Sequence, residues 1–296
     1  MFQKALVCTN FEDGLHRLVH FVPNLVAGGL RQISFLHTVP LLEDREFPRI
    51  DNEKIETARE RLSVALESVP DGVDIQIDVQ STKPSDHILK AVKQYQPDII
   101  ILGTPSRSRL TEQLFGSTTQ ALCRQLNIPV MILRPQLIST YLVDELALRC
   151  ERLFQYFLVP YDGSHSADYL VESLKTHVQN SSTHILKRCL ICWVIEEGGR
   201  RRSLRNTIEY EVQEAEAKIA TVKADLESVG LDVQAVVIKG NVFTEVFNLA
   251  VENDISAIAI SSDSMGKLIE WSVPSFAGDL MRQSWHPVIY FPPSRK

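Results

Sequence analysis

The sequence has little of what marks membrane, secreted or nucleic-acid-binding proteins. No run reaches the roughly 18 consecutive apolar residues that a membrane-spanning helix needs. Acidic residues interrupt the N-terminal segment before any long apolar region, so we expect no signal peptide. Lys and Arg number 31 against 37 Asp and Glu, a formal net charge of −6, whereas nucleic-acid binding needs a basic surface. We therefore expect a cytoplasmic protein with no membrane span and no nucleic-acid partner.

Cysteine is also scarce, with five scattered residues that do not form a disulfide framework. Cys189 and Cys192 have the C-x-x-C spacing of redox and zinc sites, but they lie in HILKRCLICWVI (184–195), which we predict to be a strand. Residues three apart on a strand point to opposite faces. We interpret both as structural and expect no metal site.

Common enzyme motifs are absent as well. The chain has no G-x4-G-K-[ST] phosphate loop and no G-x-S-x-G nucleophile elbow. A phosphoacceptor receiver domain would need paired acidic residues after its first strand, where this chain has Thr9 and Asn10. We assign no catalytic residue.

What the first half does contain is a series of short apolar runs separated by stretches with helical spacing. Strands that alternate with helices indicate βαβ units and a parallel sheet covered on both faces. The predicted strands are KALVCT (4–9), QISFLHTV (32–39), VDIQIDVQ (73–80), PDIIILG (97–103) and PVMILRP (129–135).

The second half repeats this pattern. Asn10 corresponds to Asp162 and Pro129 to Pro287, offsets of 152 and 158 residues, and a repeat of this length is a whole domain. The segment 137–152 between the halves lacks the Gly and Ser content of a loose tether. We predict a first domain at 1–136, a linker at 137–152 and a second domain at 153–296.

A pattern of glycine and hydroxyl residues follows the fourth strand of the first half. In an open parallel sheet, ligands bind at the carboxyl ends of strands, and a helix N-terminus offers free N–H groups to phosphate. The same glycines would also suit a strand-to-helix turn without any ligand. The pattern, G-x2-S-x9-G-S, comprises Gly103, Ser106, Gly116 and Ser117, with Arg107 and Thr118 beside it.

This pattern resembles the universal stress protein family, whose ATP-binding members carry G-x2-G-x9-G followed by Ser or Thr at this place. They also carry an Asp at the end of strand one and a Val after strand two that meets the adenine. Supporting segments are LHTV (36–39) and LVPYDGS (158–164), and the resemblance covers nearly the whole chain, twice. It implies an adenine nucleotide alpha-hydrolase-like α/β fold with two tandem doubly wound five-stranded parallel sheets in strand order 3-2-1-4-5.

The resemblance also implies a function. The chain is expected to act as a tandem universal stress protein, which binds ATP or AMP, with or without Mg²⁺, and regulates the stress response through this binding. Enzymatic activity would be slow ATP hydrolysis at most. Family members often dimerise, so a homodimer is expected, as is a protein partner. The alternative is a ligand-free interaction scaffold with degenerate nucleotide sites.

The two halves depart from the family pattern in different ways. In the first half Asn10 replaces the family's Asp and Ser106 its second glycine. The second half has Asp162, but Pro274 replaces the last glycine of the phosphate loop and supplies no N–H donor. We therefore expect nucleotide binding mainly in the first half. Its predicted site residues are Thr9, Asn10, Val39, Gly103, Ser106, Arg107, Gly116, Ser117 and Thr118, and those of the weaker second site are Asp162, Val194, Gly240 and Ser275.

Overall fold

The structure is a computed structural model that describes residues 1–44, 47–104, 122, 125–140, 142–181, 183–196, 205–262 and 276–293. The chain divides into two units, Phe2–Glu151 and Arg152–Lys296, which we call the N-terminal and C-terminal domains. Within the described ranges, no helix combines the length and the hydrophobicity that crossing a bilayer requires.

The parallel sheet of the N-terminal domain comprises β1 (Lys4–Thr9), β2 (Gln32–Val39), β5 (Asp74–Ser81), β6 (Ile99–Gly103) and β7 (Val130–Leu133) in its described part, while β3 (Leu42–Asp44) and β4 (Phe47–Arg49) form a separate antiparallel pair. The five parallel strands lie in the order β5-β2-β1-β6-β7. This is the predicted order 3-2-1-4-5, which is confirmed. The helices are α1 (Val22–Ala27), α2 (Asn52–Ser63), α3 (Pro84–Tyr95), α4 (Pro135–Ile138) and α5 (Val143–Arg152), with 3₁₀ turns at Leu15–Phe21 and Val64–Leu66.

The C-terminal domain repeats this sheet in the order β10-β9-β8-β11-β12. Its strands are β8 (Tyr156–Pro160), β9 (Arg188–Ile195), β10 (Asp232–Lys239), β11 (Ala257–Ser261) and β12 (Val288–Phe291). Its described helices are α6 (His165–Gln179), α7 (Arg205–Glu227), α8 (Val242–Glu252) and α9 (Phe276–Gln283).

The central strands are buried as their composition predicts. Ile99, Ile100 and Ile101 of β6 have no solvent exposure, because helices cover both faces of a parallel sheet. Cys189 and Cys192 lie in β9 as expected, and both are buried. Burial raises the pKa of both thiols to about 12, so they are unreactive at neutral pH.

The segment 137–152 packs within the N-terminal domain. Arg17 donates to the Ile138 carbonyl at 2.6 Å, and the Asn24 amide donates to the Glu151 carboxylate at 2.7 Å. A Cβ added to Gly28 would lie 2.6 Å from the Cys150 carbonyl oxygen. Helix α5 therefore contacts α1 and its C-terminal turn closely, which only a residue without a side chain permits at position 28.

Candidate functional site

The predicted site residues of the N-terminal domain lie along one edge of its sheet. Strand β1 ends at Thr9, β2 at Val39 and β6 at Gly103, and the strands are parallel neighbours. Parallel pairing therefore brings Thr9, the following Asn10, Val39 and Gly103 to the carboxyl edge, where open α/β sheets bind ligands.

Asp13 forms the centre of a hydrogen-bond network at this edge. Its carboxylate accepts bonds from the Thr9 hydroxyl at 2.8 Å, the Asn10 N–H at 3.1 Å and the Leu15 N–H at 2.9 Å. The Asn10 side-chain oxygen accepts from the N–H groups of Glu12 and Asp13 at 2.9 and 3.0 Å. The Asn10 oxygen thus organises the loop after β1.

Gly103 lies directly against Asp13. A Cβ added at position 103 would come within 2.4 Å of the Asp13 Cβ and within 2.8 Å of its Oδ2. Side chains do not tolerate such distances, so residue 103 must be glycine or Asp13 must move. The absence of a side chain at position 103 makes room for the carboxylate in this structure.

The ring of Phe11 contacts two polar side chains. It stacks on the His37 ring with a centroid distance of 4.1 Å, and the Arg61 guanidinium lies 4.4 Å from its centroid. Phe11 has a φ of +68°, a conformation that is costly for a bulky residue. The corresponding Gly163 has a φ of +72°, so the turn is shared by both domains and only the second has the residue that suits it.

A pocket of about 390 Å³ opens beside this ring. Phe11, His37, Val39 and α2 form its walls, and Lys54 and Arg61 are the cationic residues that line it. Lys54 pairs with Asp51 at 3.0 Å, and Arg61 donates to His16 Nε2 at 2.8 Å. Asp51 and Glu53 also line the pocket, so it combines apolar and aromatic walls with two cationic and two acidic side chains.

The two histidines at this edge have pKa values below that of a free histidine. Burial lowers the pKa of His37 more than its hydrogen bond to the Thr9 carbonyl, 2.9 Å long, raises it. Burial and the neighbouring Arg61 lower the pKa of His16. Since a free histidine titrates near pH 6.5, both rings are uncharged at neutral pH. The cations that line the pocket are therefore Lys54 and Arg61, which lie beside the carboxylates of Asp51 and Glu53.

The remaining residues predicted for the first site, together with one predicted for the second, lie outside the residues that the structure describes. They are Ser106, Arg107, Gly116, Ser117, Thr118 and Ser275.

The C-terminal domain has two pockets near the end of β8, one of about 100 Å³ at the carboxyl edge and one of about 480 Å³ beside Gly163. Asp162, Val194 and Ser261 line the smaller one, and the Asp162 carboxylate accepts the Ser164 N–H at 3.0 Å. Gly240 follows β10, and a Cβ there would lie 2.6 Å from the Glu245 carboxylate. The structure thus brings Asp162 and Val194 together, whereas Gly240 packs against the next helix.

A metal ion finds no ready-made ligand set in the described part of the chain. No group of three His, Cys, Asp or Glu side chains there has the arrangement that a metal ion needs. At the N-terminal edge, protein donors already bond to the Asp13 carboxylate.

Asp13, Phe11 and Arg61 are the residues at this edge that the sequence analysis missed. Acidic residues are common in turns that follow strands. The position of Asp13, four residues after Thr9, does not indicate that its side chain lies against Gly103. Contacts between residues 11 and 61 depend on how α2 packs on the sheet. Sequence periodicity alone does not supply that information.

Comparisons with known proteins agree with this architecture. A model of the universal stress protein family matches residues 1–134 and 154–292, well over half of the chain. A universal stress protein from Archaeoglobus fulgidus DSM 4304 has a similar structure, with a TM-score of 0.63 and 18% identity, covering 97% of each chain. A functionally unknown protein from Pseudomonas aeruginosa PAO1 gives a TM-score of 0.57 at 11% identity, covering 99% of this chain and 93% of that one.

No curated protein matches the chain. At these identities the structural likeness shows the fold alone, while the two family matches show membership. The chain therefore belongs to the universal stress protein family and carries two of its domains in tandem.

Proposed function

We propose that the protein is an adenine-nucleotide-binding regulator of the stress response that binds ATP or AMP mainly in its N-terminal domain. The observation that supports this is the pocket of about 390 Å³ at the carboxyl edge of β1 and β2. Small-molecule sites usually have volumes of about 300–1,000 Å³. The C-terminal pocket that Asp162 and Val194 line is smaller, at about 100 Å³, so pocket volume alone does not carry the preference, because a second C-terminal pocket of about 480 Å³ lies beside Gly163.

The chemistry of the N-terminal edge suits the parts of a nucleotide. Val39 and the Phe11 ring offer apolar contact to a base, and Arg61 supplies positive charge beside them. Gly103 begins the segment that leads to Gly116 and Ser117, where a helix N-terminus would hold the phosphates. In this proposal the base occupies the pocket and the phosphates extend towards Gly103.

The C-terminal domain would bind the same ligand more weakly. Pro274 stands where the N-terminal domain has Gly116 and lacks an N–H group. The loss of one hydrogen bond to a charged group costs about 1.5–3 kcal/mol, which corresponds to about ten- to a hundredfold in affinity.

Analysis of co-purified ligand tests the proposal. The purified protein is denatured, and the released small molecules are identified by mass spectrometry. We expect ATP or AMP at up to about one molecule per chain; an apo preparation is then titrated with millimolar ATP. A preparation that releases no nucleotide and binds none at millimolar ATP would overturn the proposal.

A ligand-free interaction scaffold is the second candidate function. The observation that favours it is that Asp13 already fills the space beside Gly103 and has its hydrogen bonds satisfied within the protein. A scaffold of this kind would act through protein partners alone. Failure to bind nucleotide in the experiment above would favour it.

We also propose that the protein forms homodimers. Leu142 and Val143, at the start of α5, are 66% and 65% exposed, and Leu148 of the same helix is 44% exposed. Exposed apolar residues grouped on one segment are typical of protein–protein contact. Substitutions at Leu142, Val143 and Leu148 can therefore test whether this surface mediates dimerisation.

A further inference from the structure

The larger pocket of the C-terminal domain has no part in the proposed function. Residues of both α6 and α7 line it, and its volume of about 480 Å³ is in the range of about 300–1,000 Å³ that is usual for small-molecule sites. The buried Tyr161 and Val171, together with Val222, give it an apolar floor, and Asp168 brings a carboxylate to its wall. The pocket therefore offers an apolar surface next to a charged group.

A difference between the two domains accounts for the opening. In the N-terminal domain the Phe11 ring packs on His16, with a centroid distance of 5.6 Å, and on Arg61. Gly163 has the position of Phe11 in the second domain, and Asp168 has the position of His16. Because residue 163 has no side chain, Asp168 borders the pocket instead of packing against a ring.

An uncharged donor holds Asp168 in place. The Tyr161 hydroxyl donates to the Asp168 Oδ1 at 2.5 Å. Burial and this hydrogen bond raise the pKa of Tyr161, so the proton stays on the phenol at neutral pH. The carboxylate therefore keeps its negative charge and has a fixed orientation at the wall of the pocket.

The lysines near the pocket pair with other carboxylates. They form three ion pairs of 2.8–3.1 Å, which are Lys175 with Glu172, Lys175 with Asp225 and Lys218 with Glu214. Among the described residues that line the pocket or pair with one that does, four carboxylates face two lysines. The negative excess favours a cation as the occupant.

We propose that this pocket binds a small organic cation, with its ammonium group on Asp168 and its apolar body against Tyr161, Val171 and Val222. The ammonium would donate to the Asp168 Oδ2, since Oδ1 already accepts from Tyr161. The apolar body would remove the floor of the pocket from water. A metal ion suits the pocket less well, because no three acidic, histidine or cysteine side chains of the described chain are arranged to hold one.

Isothermal titration with three probes tests the proposal. Hexylamine has both the charge and the apolar body, 1-hexanol has the body alone, and ammonium chloride has the charge alone. We expect hexylamine to bind the wild type at about one site per chain. Its affinity should be at least about tenfold higher than that of either other probe, because each lacks one of the two contacts.

Three variants locate the binding. Asp168→Asn keeps an oxygen that accepts from Tyr161 and removes the charge, so it should weaken hexylamine binding about tenfold, as the loss of one charge-assisted hydrogen bond does. Thr221→Trp places a large ring in the pocket from an exposed position of α7 and should abolish binding. Glu216→Gln removes a charge from an exposed position of the same helix outside the pocket and should bind normally.

The outcomes decide the proposal independently of nucleotide binding. Weaker binding by Asp168→Asn and Thr221→Trp, with normal binding by Glu216→Gln, supports it; circular dichroism verifies that each variant is folded. Absence of hexylamine binding by the wild type at millimolar concentration would overturn it, as would equal binding by the wild type and Asp168→Asn. An equal loss in Glu216→Gln would also overturn it, because it would indicate non-specific attraction to an acidic surface.

Discussion

Two single residues, Gly103 and Asp13, show how far the sequence leads at the candidate site. From the sequence, we predict that Gly103, at the end of β6, permits close approach of a ligand or forms a turn. The structure adds a third reason, because the space beside Gly103 holds the Asp13 side chain. The position of Thr9 and Val39 at the same edge followed from strand order, whereas the placement of Asp13 depends on the irregular loop after β1.

Replacing Gly103 by alanine tests whether this glycine is needed to make room for the Asp13 side chain. We expect Gly103→Ala to lower the free energy of unfolding by about 1–3 kcal/mol in the absence of nucleotide, because the new Cβ overlaps Asp13. Urea unfolding measures the change. In an Asp13→Gly background, which removes the overlapping atoms, the cost of the same substitution should fall. An unchanged stability of Gly103→Ala would show that this glycine does not serve the fold.

Asp78 gives a second prediction at the residue scale. It lies 3.0 Å from His87 Nε2 in a buried cluster, and His87 Nδ1 lies 2.9 Å from the Thr38 hydroxyl. Burial raises the pKa of Asp78, but hydrogen bonds from His87, Gln80 and Tyr95 outweigh this and lower it below its usual value. The folded chain therefore binds this proton less readily than the unfolded chain.

The stability that Asp78 contributes should be present above about pH 4, its range in an unfolded chain. It should be lost as the pH falls through the lowered folded value. We expect Asp78→Asn to lower stability at pH 7 and to flatten the loss of stability below pH 4, measured by thermal unfolding. Asp74→Asn, at an exposed position of the same strand, is the matched control. Parallel curves for Asp78→Asn and the wild type would contradict this account.

At the scale of elements, apolar runs predict the strands well. KALVCT and QISFLHTV coincide with β1 and β2, since buried parallel strands are apolar without interruption. The antiparallel pair of β3 and β4 was not predicted. Its strands have three residues each, which is too short for an alternation pattern to be read.

Ser164, at the start of α6, has two possible roles: it caps the helix and it lines the smaller C-terminal pocket. Its hydroxyl accepts the Ala167 N–H at 3.3 Å. We expect Ser164→Ala to lower stability by about 1 kcal/mol in nucleotide-free protein, as lost caps do. Ser173→Ala, within the same helix, should be neutral or slightly stabilising because alanine favours helix. A stability equal to wild type would indicate that the serine serves the pocket instead.

At the scale of the whole molecule, the internal repeat predicts two domains with the same strand order, and the structure has both. The sequence carries no comparable information on self-association, because surface residues follow no periodic pattern. We expect light scattering to give about twice the chain mass of 33.5 kDa. Val143→Glu, which places a charge on the exposed start of α5, should shift the mass towards the monomer. A wild-type mass of one chain at all concentrations would contradict the dimer.

The location of nucleotide binding is the central claim at this scale, and a titration of three proteins with ATP in the presence of Mg²⁺ tests it most directly. The wild type should show about one site per chain. Gly116→Pro, which gives the N-terminal domain the residue found at position 274, should abolish that site, whereas Asp162→Ala should leave it intact. Normal binding by Gly116→Pro together with loss of binding by Asp162→Ala would contradict the account and place the ligand in the C-terminal domain.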